Sequence, residues 1–263
     1  MKKIISKLFP ILCVGMIAFA ILAGLYYAKE YADARKSYDK AESYTQLQEP
    51  EEETAGGEQE KEKNREKNQK GKPEPVLPKA PITVDFQSLW TVNPDVTGWL
   101  YVESADISYP ILQGPDNDYY LHRTWEKKDN FAGSIFMDYR NAPNFSDYNT
   151  VLYGHNMKDG SMFHKTQYLM TEEYYAKSPY IWILTPDGDH RYKIFAEYDT
   201  RYDSDTYTFF WHPGKALEDY IKERQELSIW ESEGTLQGDE RILTLSTCNG
   251  ATDIRRVVQA ARE

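Results

Sequence analysis

The sequence predicts a mainly β domain, a largely antiparallel barrel with peripheral helices, carried behind an N-terminal apolar helix and a polar linker. Three observations predict it. Between Gly98 and Ala260, eight short runs rich in β-branched and aromatic residues are separated by turn residues. Leu8–Tyr27 is a stretch of twenty residues without a charge, long enough to cross a bilayer as a helix. Pro50–Pro81 is rich in Glu, Lys, Gln and Gly, then in Pro, and has too little apolar surface to fold on itself.

Taken in order, Lys2, Lys3 and Lys7 precede the apolar run. That bias keeps residues 1–7 cytoplasmic and puts the chain beyond residue 27 outside. Ala18-Phe19-Ala20 has the small-x-small form of a cleavage site, yet it lies inside the apolar run with no polar segment before it. An uncleaved single-pass anchor in the lipid bilayer over residues 8–27 is therefore expected. Tyr31, Ala34, Tyr38 and Ala41 recur at helical spacing and extend the helix into the aqueous phase. Residues 28–81 are then a helical extension and a disordered linker, and residues 82–263 the folded domain. Within it Asp85 caps a short helix over Phe86–Asn93, stopped by Pro94. The strand-like runs are 98–102, 107–112, 134–137, 150–153, 180–184, 192–198, 241–247 and 255–260. Helices are expected over 161–170 and 214–227, the second with Leu217, Tyr220, Ile221 and Arg224 at helical spacing.

The net charge of −11 is unevenly placed. Residues 1–48 carry seven Lys/Arg against four Asp/Glu, and residues 49–80 seven against nine, which leaves −12 from residue 81 onward. Such a domain does not offset phosphate repulsion, so no nucleic acid is expected as a partner. There are two cysteines, Cys13 in the apolar run and Cys248 near the C-terminus. With Cys13 in a membrane no disulfide forms inside the domain, and an exported domain with one free thiol is a candidate for thiol chemistry.

Leu243, Leu245 and Thr247 alternate with Thr244, Ser246 and Cys248, a period of two that reads as a strand ending on the cysteine. Asn249-Gly250 is a turn, and Arg255–Ala260 is the return strand. A thiol at a strand end beside an arginine is a candidate nucleophile with a fixed cation, because the thiolate is the reactive form. The same cysteine also reads as a small buried hydrophobe. Arg255 and Arg256 compete for the cationic role, and a regular strand turns them to opposite faces. Tyr153-Gly154-His155-Asn156 comes directly after the apolar Val151-Leu152, which suits His155 as a general acid and base; a surface histidine in a turn is the alternative. His122, His164, His190 and His212 read as structural or exposed, and the six tryptophans as core or rim packing. Asp116, Asp118, Asp199, Asp203 and Asp205 lack the spacing of a calcium loop, so neither a metal nor a cofactor is expected.

These residues resemble one family. Thr244-Leu245-Ser246-Thr247-Cys248 with Arg255 seven positions on looks like the sortase signature. Tyr153-Gly154-His155-Asn156-Met157, Asp159-Gly160-Ser161-Met162-Phe163, Asn93-Pro94-Asp95, Gly98-Trp99-Leu100, Asp116-Asn117 and Gly133-Ser134-Ile135-Phe136 resemble the class B branch, as does the helix before the cysteine strand. The resemblance covers residues 82–263 and implies an eight-stranded barrel that transfers surface proteins of Gram-positive bacteria. It implies Cys248 as nucleophile, His155 as acid and base, Arg255 as stabiliser of the oxyanion or substrate, and Asn117, Tyr153 and Ser246 along the substrate groove. Implied partners are surface proteins with a C-terminal sorting signal and a peptidoglycan precursor or other amine acceptor. Pilin polymerisation through a lysine acceptor and an inactive binding module are the alternatives.

Overall fold

The computed structural model describes residues 2–48, 79–232 and 236–263, with side chains from Leu12 onward. The linker expected over 50–81 lies outside these residues, apart from Lys79–Pro81. Eight strands close a barrel: β3 (Val96–Val102), β4 (Ile107–Leu112), β5 (Ile135–Met137), β6 (Asn149–Tyr153), β7 (Tyr180–Leu184), β8 (His190–Arg201), β9 (Ile242–Cys248) and β10 (Ile254–Arg262). Each is one of the eight runs read from the sequence. Their order around the barrel is β10-β8-β7-β3-β4-β5-β6-β9. The pairing is antiparallel except for β4 with β5 and β6 with β9, which are parallel. Leu100, Ile111, Leu152, Ile183, Ile194, Leu243, Leu245 and Val258 fill the interior from successive strands.

Helix α1 (Lys2–Glu42) is continuous. Its apolar first part is long enough to cross a membrane, and none of that window is buried in the protein. The second part lies against the barrel. Ala34 and Ala41 are buried, and Tyr31 and Tyr38 pack beside them, so the four positions at helical spacing form a docking stripe and not a free extension. Trp125 Nε1 donates to the Ser37 carbonyl at 2.8 Å. The Tyr38 hydroxyl donates to the Gly133 carbonyl, and its ring stands edge-on to Tyr109 at 5.3 Å. Beyond the helix, β1 (Thr45–Leu47) pairs antiparallel with β2 (Ile82–Val84).

Helix α2 (Phe86–Val92) begins where the sequence places it: the Asp85 carboxylate accepts from the Ser88 N–H at 3.0 Å, an N-cap. The helix expected over 161–170 is instead a single 3-10 turn, His164–Tyr168. Met162 just before it has φ +55°, a left-handed backbone that breaks helical continuation. A short helix α3 (Glu172–Lys177), absent from the sequence reading, comes next. Helix α4 (Lys215–Leu227) has the predicted apolar stripe and covers the outer face of β8, β9 and β10, where Leu217, Tyr220 and Ile221 meet Val257 and Ile242. Of the tryptophans, Trp99 and Trp125 are fully buried, but Trp211 stands out from the surface at 88% exposure and departs from the packing expectation.

The docking of α1 is testable. In the full chain in detergent, Tyr38→Ala is expected to cost about 2 kcal/mol in urea unfolding. Tyr38→Phe, which loses only the hydroxyl contact, is expected to cost about 1 kcal/mol.

Candidate active site

The site is built where β6, β9 and β10 end together. Tyr153 on β6 pairs with Ser246 on β9, and Cys248 pairs with Arg255 on β10. Leu243 and Leu245 point into the barrel, so Ser246 and Cys248 point outward. Cys248 is exposed and free. Arg255 lies opposite it on the outer face. Its guanidinium donates to the carbonyls of Thr252 and Ile254, both at 3.1 Å, and sits 6.0 Å from the ring centre of Tyr202.

The other arginine is spent elsewhere. Arg256 donates to the buried Glu197 at 3.1 Å and to Asp199. Asp199 in turn accepts from Asn249 Nδ2 at 3.0 Å, next to the cysteine. Burial pushes the Glu197 carboxyl up to about 7, against the pull of Arg256. Arg256 is therefore held in a structural ion cluster, while Arg255 lines the groove with Cys248.

His155 is reached from β6 through Gly154. A Cβ on Gly154 would come within 2.5 Å of Ile135 Cδ1 and 2.8 Å of Phe163 Cγ, so only glycine fits beneath the histidine. The backbone is held by Gly154 N–H to the Ser246 carbonyl at 3.3 Å and by Phe163 N–H to the His155 carbonyl at 2.9 Å. His155 Nε2 lies 2.8 Å from the Leu121 carbonyl, which makes Nε2 the protonated nitrogen and leaves Nδ1 as an acceptor. Burial pulls the imidazole below its ordinary range, helped by His122, which stacks on it at 6.1 Å, and opposed by the Leu121 carbonyl. His122, read from the sequence as structural or exposed, is thus beside the site. Asn156 Nδ2 donates to the Cys248 carbonyl at 2.9 Å, while its Oδ1 meets His164 Nδ1 at 2.8 Å. One amide therefore ties the histidine turn to the cysteine strand.

All six residues singled out in the sequence line one groove of about 420 Å³: His155, Cys248, Arg255, Asn117, Tyr153 and Ser246. The Ser246 hydroxyl is bonded to Tyr207 at 2.9 Å. The sequence reading did not assign Leu121, Phe136, Tyr202 and Tyr207 to the groove, whose lining also includes Asp118, Gly154 and Thr247. Tyr202 and Tyr207 fall in the aromatic stretch after β8, but nothing in their spacing marks them. No cluster of three or more His, Cys, Asp or Glu able to hold a metal occurs among the described residues.

This geometry sets two expected outcomes. Gly154→Ala is expected to cost about 1–3 kcal/mol of stability, measured by urea unfolding, because Ile135 and Phe163 must shift. By NMR, His155 is expected to titrate below 6.5, the ordinary imidazole value. The unfolded chain then binds that proton more readily. Stability attributable to His155 rises with pH between the depressed value and 6.5 and is lost as pH falls through that window. His155→Gln removes this part of the slope.

Known proteins give the same answer. A sequence profile of the sortase domain matches residues 100–263. Sortase B of Listeria monocytogenes is 37% identical over 172 residues, 65% of this chain and 70% of that protein. Sortase B from B. anthracis superposes with a TM-score of 0.68 at 28% identity, over 89% of this chain and 98% of that one. The Staphylococcus aureus sortase B–substrate complex superposes at 0.63 with 31% identity, over 68% and 84%. With the barrel, the groove and these relatives in agreement, the chain belongs to the sortase family, in its class B branch, and is a sortase transpeptidase.

Proposed function

We propose that this sortase is held in the cell membrane by residues 8–27, with its N-terminus cytoplasmic and its catalytic domain, residues 82–263, outside. It cleaves the C-terminal sorting signal of surface proteins after a threonine and joins the new end to an amine of a peptidoglycan precursor. The observation that supports this reading is the meeting of Cys248, His155 and Arg255 along one groove. That a relative was solved as a substrate complex agrees with a groove that takes a peptide.

The chemistry runs in two acyl transfers. The Cys248 sulfur, as thiolate, attacks the threonine carbonyl carbon, and the C–N bond breaks as His155 gives a proton to the departing amine. A thioacyl enzyme results. An acceptor amine then attacks the thioester, passes its proton to His155, and the Cys248 thiolate leaves. Arg255 spends Nη1 on the Thr252 and Ile254 carbonyls, which fixes the fork, and its remaining N–H groups stabilise the developing oxyanion. Because His155 is held below its usual range by burial, the imidazolium–thiolate pair is a minor population drawn on as it reacts.

The test is to incubate the full chain in detergent with a peptide library and varied acceptor amines, and to read products by mass spectrometry. Amide products that depend on Cys248 are expected. Turnover unchanged in Cys248→Ala, or acid as the sole product with amine present, would overturn the reading. Arg255→Ala is expected to lower kcat by about 10²–10³-fold with little loss of stability. Arg256→Ala is expected to destabilise the fold by about 2 kcal/mol, because it leaves the buried Glu197 without its cationic partner and with only the Met170 N–H on its carboxylate, and to spare most of kcat.

A further inference from the structure

Beside the groove, but not lining it, lies Asp138, the residue after β5. It is wholly buried, yet it stays ionised. Burial would push its carboxyl up, but the guanidinium and backbone N–H of Arg140 and the Asn117 amide hold it below the usual carboxylate range. Five donors converge on its two oxygens. Oδ1 accepts from Arg140 N at 3.0 Å and Arg140 Nε at 2.9 Å. Oδ2 accepts from Arg140 Nη2 at 2.8 Å, Asn117 Nδ2 at 3.0 Å and the Tyr153 hydroxyl at 3.0 Å.

Two of those donors belong to groove residues from different elements. Tyr153 ends β6, and Asn117 lies in the loop after β4. The remaining polar atom of Asn117, Oδ1, accepts from the Tyr139 N–H at 3.0 Å, so its amide is fixed at both ends. The Tyr153 hydroxyl is turned to the carboxylate, so the groove meets Tyr153 through its ring, which packs on Phe136 and Tyr207. Arg140 then carries the connection across the groove wall, stacked on Phe209 at 4.5 Å, two residues from Tyr207. A carboxylate suits this post because it accepts from every side and donates to none. An asparagine there would keep one acceptor oxygen and add a donor facing donors.

We propose that Asp138 is a positioning residue: it sets the affinity for the peptide by fixing Asn117 and Tyr153, and leaves the chemical step at Cys248 alone. The proposal rests on the groove being the peptide site of the reaction above.

The test uses the full chain in detergent and the library peptide that turns over fastest, with active protein counted by alkylation of Cys248. Asp138→Asn is expected to raise KM about tenfold while kcat stays within about twofold. On a Cys248→Ala background, where no chemistry occurs, calorimetric Kd for the same peptide is expected to rise by the same factor. In Asn117→Ala/Tyr153→Phe protein, KM is raised to a similar level, and adding Asp138→Asn changes it by less than about twofold, since the residues act as one unit. That pair keeps the Asp138–Arg140 ion pair, so an unchanged KM in it overturns the proposal even where Asp138→Asn does not fold. An unchanged KM in the pair, a fall in kcat at constant KM in Asp138→Asn, or additive effects would overturn the proposal. Should the unaltered protein turn over no peptide, the functional reading falls and this inference with it; should it turn over while KM stays unmoved, only the inference falls.

Discussion

The register of one strand carries the site. β9 lies between β6, which runs parallel to it, and β10, which runs antiparallel. Its alignment sets Tyr153 against Ser246 on one side and Arg255 against Cys248 on the other. A slip of one residue would turn the sulfur toward the barrel interior and set Thr247 against Arg255. The alternation of the strand resists that slip from both faces. Inward, Leu243 and Leu245 are fully buried, and a slip would trade them for Thr244 and Ser246. Outward, Thr244 donates to Asn149 at 2.7 Å and accepts from Gln259 at 2.9 Å, bonds that buried groups cannot lose cheaply.

That outward network reaches the groove. Tyr220 on α4 donates to the Thr206 carbonyl at 2.7 Å, and Asn149 Nδ2 donates to the same carbonyl at 3.0 Å. The buried Arg224 forks the Asp205 carboxylate with two bonds of 2.9 Å. These contacts hold the turn that presents Tyr207 to Ser246. Tyr207 is thus held through α4, and Tyr153 and Asn117 through Asp138.

Much of this was legible in the sequence because strands announce themselves locally. All eight barrel strands arose from short runs rich in β-branched and aromatic residues, and the Cys248–Arg255 pairing came from a turn at Asn249-Gly250 between two such runs. The arginine ambiguity was half solved by alternation alone; the ion cluster of Arg256 with Glu197 and Asp199 depends on β8, some sixty residues away, and leaves no local trace. Tyr202, Tyr207, Leu121 and His122 were missed for the same reason, since each reaches the site through tertiary contact. The two parallel pairings escaped notice because periodicity reports faces and not neighbours. The 3-10 turn at His164–Tyr168 was over-read as a helix, because apolar spacing does not reveal a left-handed residue such as Met162.

The small ribbon of β1 and β2 has a consequence for the chain between them. Leu47 sits opposite Ile82, so the described chain before and after residues 49–78 meets at one place. The number of residues between them then has no bearing on how far the Cys248 sulfur stands from the apolar end of α1; that spacing is written into the helix and its seat on the barrel. Lengthening a segment between two paired ends adds only a slowly growing closure entropy. A change in the length of that segment is therefore expected to leave the spacing between Cys248 and the apolar end of α1 as it is.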